Sequence, residues 1–89
     1  MIVVKLSPAA VSAIECADLE AHHTIRQCFD ARGVLAFDPD TRGTLIEELI
    51  DAANSEDATA QQSSGAIRQM CRSAADSLTT IARAVRRAQ

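Results

Sequence analysis

Residues 65–89 read GAIRQMCRSAADSLTTIARAVRRAQ, and their apolar positions decide the shape of the chain. Ile67, Cys71, Ala74, Leu78, Ile81, Val85 and Ala88 recur at alternating steps of four and three residues. That is the spacing of a coiled-coil seam. Ala75, Ala82 and Ala84 flank it, and such small side chains let a facing helix approach closely. One partner for the seam is the chain's own first helix, where Ala10, Ile14, Ala17, Ala21 and Cys28 form a stripe. The other is the same helix of a second copy. Composition favours the second copy. The chain has 89 residues with an apolar fraction of 47%, but 17 of those residues are Ala and only 22 are Ile, Leu, Val, Met or Phe. A chain this short buries a modest fraction of its surface. Ile67, Cys71, Ala74, Leu78, Ile81 and Val85 are therefore expected to mediate self-association as a homodimer or larger homo-oligomer.

Working back from the seam, the spacing predicts a last helix over 58–87. Its opening, Ala58–Gly65, holds no large apolar residue, and Gln61–Gly65 reads either as exposed helix or as a hinge. Asn54–Asp57 ends the preceding helix, and Ser55 is placed to cap the next one. That preceding helix covers 44–53, opened by the capping box Thr44-Leu45-Ile46-Glu47. Asp38-Pro39-Asp40 is a turn and Val34–Phe37 a short strand. A first helix starts at Ser7-Pro8 and runs to about Ala31, with Gly33 closing it. Ile2–Leu6 alternates as a strand, with Ile2, Val4 and Leu6 on one face and Val3 and Lys5 on the other. The order is β-α-β-α-α. The fold class is mainly α: a small helical α+β domain, 1–89, with two short strands. A strand-helix-strand-helix part spans 1–57, followed by the long C-terminal helix, 58–89.

Charge divides unevenly. Residues 1–64 hold four basic against eleven acidic side chains; residues 65–89 hold five Arg against one Asp. Fields of this kind steer a complementary partner. Glu47, Glu48 and Asp51 on one side, and Arg68, Arg72 and Arg83 on the other, are the candidate partner-binding residues. Cys16, Cys28 and Cys71 form no close pair, so they read as reduced thiols acting as small hydrophobes. The N-terminal apolar run is too short for a signal peptide, and no run reaches a membrane span. A soluble cytoplasmic protein without membrane contact is the expectation.

Catalytic candidates are few. Asp18 falls within the apolar arc of the predicted first helix, and His22 lies one turn on. A carboxylate beside an imidazole suits general-base work, but the pair lacks a nucleophile motif or a glycine loop. Asp18 and His22 thus read as a polar pair at the rim of an interface. Cys16, Glu20 and His23 share the outer side of that helix and supply too few ligands for zinc. Asp38–Gly43 echoes an EF-hand loop, yet Arg42 and Leu49 stand where oxygen ligands belong. No phosphate-binding, metalloprotease or serine-hydrolase motif occurs. The expectation is a non-enzymatic protein with no cofactor and no metal.

Ile2-Val3-Val4-Lys5-Leu6-Ser7-Pro8 resembles the start of ribbon-helix-helix repressors and antitoxins, and Thr41–Ile46 is similar to the opening of their second helix. The resemblance covers about a quarter of the chain, and a longer insert separates the two parts. It implies a dimeric DNA-binding regulator whose Val3 and Lys5 face the groove. Absence of catalytic motifs, small size and amphipathic helices point instead to an adaptor or inhibitor that masks a surface of a larger protein. A phage or mobile element that blocks a host machine would suit a protein of this kind. A third reading is an oligomer binding a nucleotide or small ligand between subunits, where Arg-lined clefts suit phosphates.

Overall fold

Alternation at the N-terminus demands a sheet partner for its apolar face, and the chain supplies one internally. In the computed structural model, which describes residues 1–89, strand β1 (Ile2–Lys5) pairs antiparallel with β3 (Val34–Phe37). Ile2 stands opposite Phe37 and Lys5 opposite Val34. A two-residue strand, β2 (Phe29–Asp30), pairs with the other edge of β3, giving the order β1-β3-β2. Ile2, Leu35 and Phe37 are buried, while Val3 and Lys5 face out as their alternation predicts. Gly33 serves the β2–β3 hairpin rather than a helix end. Its φ of +91° is a conformation that favours glycine, and its amide donates to the Asp30 carbonyl at 2.9 Å.

Helix α1 (Pro8–Cys16) opens as expected, with the Ser7 hydroxyl accepting from the Ala10 amide at 3.1 Å. It does not reach Ala31. Ala17 turns extended, with φ −73° and ψ 154°. The Asp18 carboxylate then accepts from the amides of Glu20 and Ala21, at 3.1 and 3.4 Å. Short acidic side chains offer the backbone this alternative to helical bonding, and here it ends the helix. The chain restarts as α2 (His23–Cys28) and passes directly into β2. Asp18 is therefore exposed, not part of an apolar arc.

After a 3-10 turn at Pro39–Thr41, helix α3 covers Arg42–Gln61. It begins before Thr44 and runs through Asn54–Asp57 without a break. The stop signals there lose to packing: Ala52, Ala53 and Ala60 are all buried. Intrinsic propensity is a weak prior against such contacts. The break falls at 62–64, and α4 covers Gly65–Arg87, so the last helix starts at 65 rather than 58. Gly65 has φ +63°. Arg68 Nε donates to the carbonyls of Ala60 and Ser63, at 3.2 and 2.9 Å, and so bonds backbone groups at the end of α3.

Helices α3 and α4 form a hairpin, with α1 laid along α4 and the sheet closing one end. Ile14, Ile25, Leu35, Leu45, Leu49, Leu78 and Val85 are fully buried in one core. Leu78, Ile81 and Val85, expected at a contact between copies, thus belong to the interior of a single chain. No helix is long and apolar enough to cross a membrane.

Candidate functional site

The heptad seam of α4 has two fates. Its C-terminal half is core. In its N-terminal half Ile67 is 60% exposed and the neighbouring Met70 67% exposed. Cys71 and Ala74 are half-buried between the two regions. Beside Met70 runs an open groove between α1 and α4. Its α1 wall is Ala9, Ser12, Ala13 and Cys16, one face of the helix; Ser73 and Ala74 stand on the α4 wall. The α1 wall is made mostly of small side chains, while on the α4 wall Ser73 and Ala74 stand among the longer Gln69, Met70, Arg72 and Asp76. Sequence reasoning did not single out Met70, because it lies off the seam. The signal was Ile67 and Met70 at i and i+3, with no apolar residue nearby in sequence large enough to cover them.

The charged residues expected to bind a partner do not form one free patch. Glu47 is exposed, but Glu48 is engaged within the chain. Its Oε1 accepts from the amides of Thr24 and Ile25, at 2.9 and 3.1 Å. These are free donors at the start of α2, where His22 provides no side-chain cap. A carboxylate from another helix thus caps α2. Asp51 is also engaged: its Oδ2 meets His22 Nε2 at 3.0 Å. Arg68 binds the end of α3, whereas Arg72 and Arg83 are exposed and make no hydrogen bond or ion pair within the chain. Arg42 fastens the two ends of the helical hairpin, donating from Nη2 to the Ala88 carbonyl while its guanidinium lies 6.0 Å from the Phe37 ring centre.

The expected Asp18–His22 contact exists through a different atom. His22 Nδ1 donates to the Asp18 backbone carbonyl at 2.7 Å, while the Asp18 carboxylate bonds its own loop. His22 is buried, with 5% of its surface exposed. Both ring nitrogens face acceptors, an arrangement only the doubly protonated imidazolium satisfies. Burial pulls the His22 pKa down, but the Asp18 carbonyl and the Asp51 carboxylate outweigh it and hold the pKa above the usual 6.5. With one ring nitrogen bonded to the Asp18 carbonyl and the other to the Asp51 carboxylate, His22 fastens the 17–22 loop to α3. Cys16, Glu20 and His23 are exposed, and no three His, Cys, Asp or Glu side chains converge as a metal-ligand set.

On the strand, Val3 and Lys5 face out, but β1 pairs with β3 of the same chain. Compared with protein-family models, with curated proteins and with solved structures, the chain matches none.

Proposed function

We propose that this chain is a small, non-enzymatic protein–protein interaction module that masks an apolar surface of a larger protein. The observation that supports this is the pair of exposed apolar side chains Ile67 and Met70, the second of which lines the groove between α1 and α4. Exposed apolar side chains that lie together mark contact sites more often than scattered ones do. Arg72 at the groove adds a cation without an internal partner. It suits an acidic flank on the bound element, where the charge steers encounter more than it sets affinity.

The test is the double variant Ile67→Glu with Met70→Glu. Both positions are exposed, so its circular dichroism and melting curve stay those of the wild type. Binding to a partner identified by chemical cross-linking falls at least about 30-fold, the loss of a central anchor worth roughly 2 kcal/mol. Unchanged binding in a normally folded double variant overturns the proposal. Self-association is proposed for the same patch, since Leu78, Ile81 and Val85 are covered internally. Sedimentation equilibrium of the double variant then shows a smaller weight-average mass than wild type at the same concentration.

A further inference from the structure

The groove between α1 and α4 carries complementary features on a single surface. Ala66, Met70, Ser73 and Ser77 follow one another along α4 at steps of four and three, so they form one row along the groove. Met70 is the one large apolar side chain of the lining, whereas Ser73 and Ser77 of the same row are small, as are Ala9 and Ala13 on the α1 wall. The next row of α4 carries the charge. Arg72 and Asp76 line the groove, are exposed, stand one turn apart and have no ion-pair partner within the chain. Charge at the margin of an uncharged strip is the layout of an interface core and its rim.

We propose that this groove is a two-fold contact with a second copy of the chain, in which Met70 of each copy enters the groove of the other and Arg72 of each pairs with Asp76 of the other. The proposal rests on the reading of Ile67 and Met70 as a contact patch, and it identifies the acidic flank that Arg72 meets. In a two-fold contact every feature must find its complement on the same surface. Two antiparallel α4 helices with the axis near Ala74, midway between residues 72 and 76, meet that condition. Arg72 and Asp76 then form two reciprocal pairs, and Met70 falls toward the Ser77 end of the opposite groove, where the α4 row is small. A second copy brings both charges at the required spacing. Exposed ion pairs add little affinity, so these two fix the register of the helices. Affinity comes from removing Ile67 and Met70 from water. The Ala-rich composition points the same way, since 17 Ala against 22 larger aliphatic, Met or Phe residues leave a short chain with a modest core of its own.

Sedimentation equilibrium in low salt compares wild type, Arg72→Asp, Asp76→Arg and an equimolar mixture of the two variants. Both residues are exposed and unpaired, so each variant keeps the wild-type circular dichroism. Wild type is expected to approach twice 9.5 kDa as concentration rises. Each variant alone dimerises about 10-fold or more weakly, because both pairs become repulsive. In the mixture every reversed charge meets its opposite on the other variant, and dimerisation returns to within about threefold of wild type. A wild-type mass of 9.5 kDa at every concentration, single variants that dimerise as wild type does, or a mixture no heavier than its components would each overturn the proposal. The double variant Ile67→Glu with Met70→Glu separates this outcome from failure of the masking reading. If it loses the cross-linked partner while wild type stays at 9.5 kDa, the second copy is overturned and the contact patch stands.

Discussion

His22 and Glu48 show how single side chains fix the 17–28 region onto α3. The folded chain holds His22 protonated more strongly than the unfolded chain does, because the Asp18 carbonyl and Asp51 both accept from its ring. A pKa raised on folding adds stability that is complete below the unfolded value of about 6.5 and disappears as pH rises through the folded one. An NMR titration of His22 is therefore expected to show a midpoint above 6.5. That midpoint drops in Asp51→Asn; a wild-type midpoint below 6.5 contradicts the assignment. Glu48 acts as a cap supplied from a distance. Glu48→Ala leaves the Thr24 and Ile25 amides without their acceptor and is expected to cost about 1–2 kcal/mol in urea denaturation. Amide exchange at these two residues quickens in the variant, and Glu48→Gln, which keeps an acceptor oxygen, loses less.

At the scale of elements, the α3–α4 hairpin depends on the reversal at 62–65. Gly65 has open space around its α-carbon, so an added methyl group meets nothing. Its positive φ is the obstacle, because L-residues with a β-carbon rarely adopt it. Gly65→Ala is expected to destabilise by about 1 kcal/mol, and Gly65→Asn by less. Gly43 offers the contrast. It lies in the first turn of α3, also in open space, without a positive φ. Gly43→Ala is expected to stabilise by roughly 0.5–1 kcal/mol, chiefly by restricting the unfolded chain. Thermal melts of the two Ala variants therefore move in opposite directions from wild type.

For the whole molecule, α4 is both the main strut of the core and the exposed flank. Leu78→Ala removes a fully buried side chain and is expected to cost about 3 kcal/mol. Ile67→Ala, although on the same seam, is expected to stay within about 0.5 kcal/mol of wild type. Denaturant midpoints of the two variants separate strut from flank. The charge distribution bears on partners at this scale too. Lys5 is the one cation on β1, in a 1–64 segment with eleven acidic against four basic residues. Under the interaction-module proposal, Lys5→Ala leaves partner binding within a factor of about two, while Arg72→Glu slows association in low salt. A salt-dependent DNA shift abolished by Lys5→Ala would favour the regulator reading instead.

The sequence by itself determined the elements governed by local pattern. Alternation set β1 and its outward Val3 and Lys5, β-branched and aromatic content set Val34–Phe37, and Ser7-Pro8 set the start of α1. Heptad spacing marked Ile67–Ala88 as a helix with one apolar seam, though local signals put its start at 58 and the structure puts it at Gly65. Tertiary structure decided the rest, because competing local signals of similar strength need packing to choose between them. Asp18 in a helical stretch reads as a partner for His22 at the rim of an interface; only the fold, with the Asp18 carboxylate on the Glu20 and Ala21 amides and His22 turned toward Asp51, shows a loop. Asn54–Asp57 reads as a stop until Ala52, Ala53 and Ala60 are seen buried on either side of it. The seam has identical spacing along its length, so no pattern within it tells core from free surface. That distinction arises from which parts of α4 are covered by α1 and α3, leaving Ile67 and Met70 exposed.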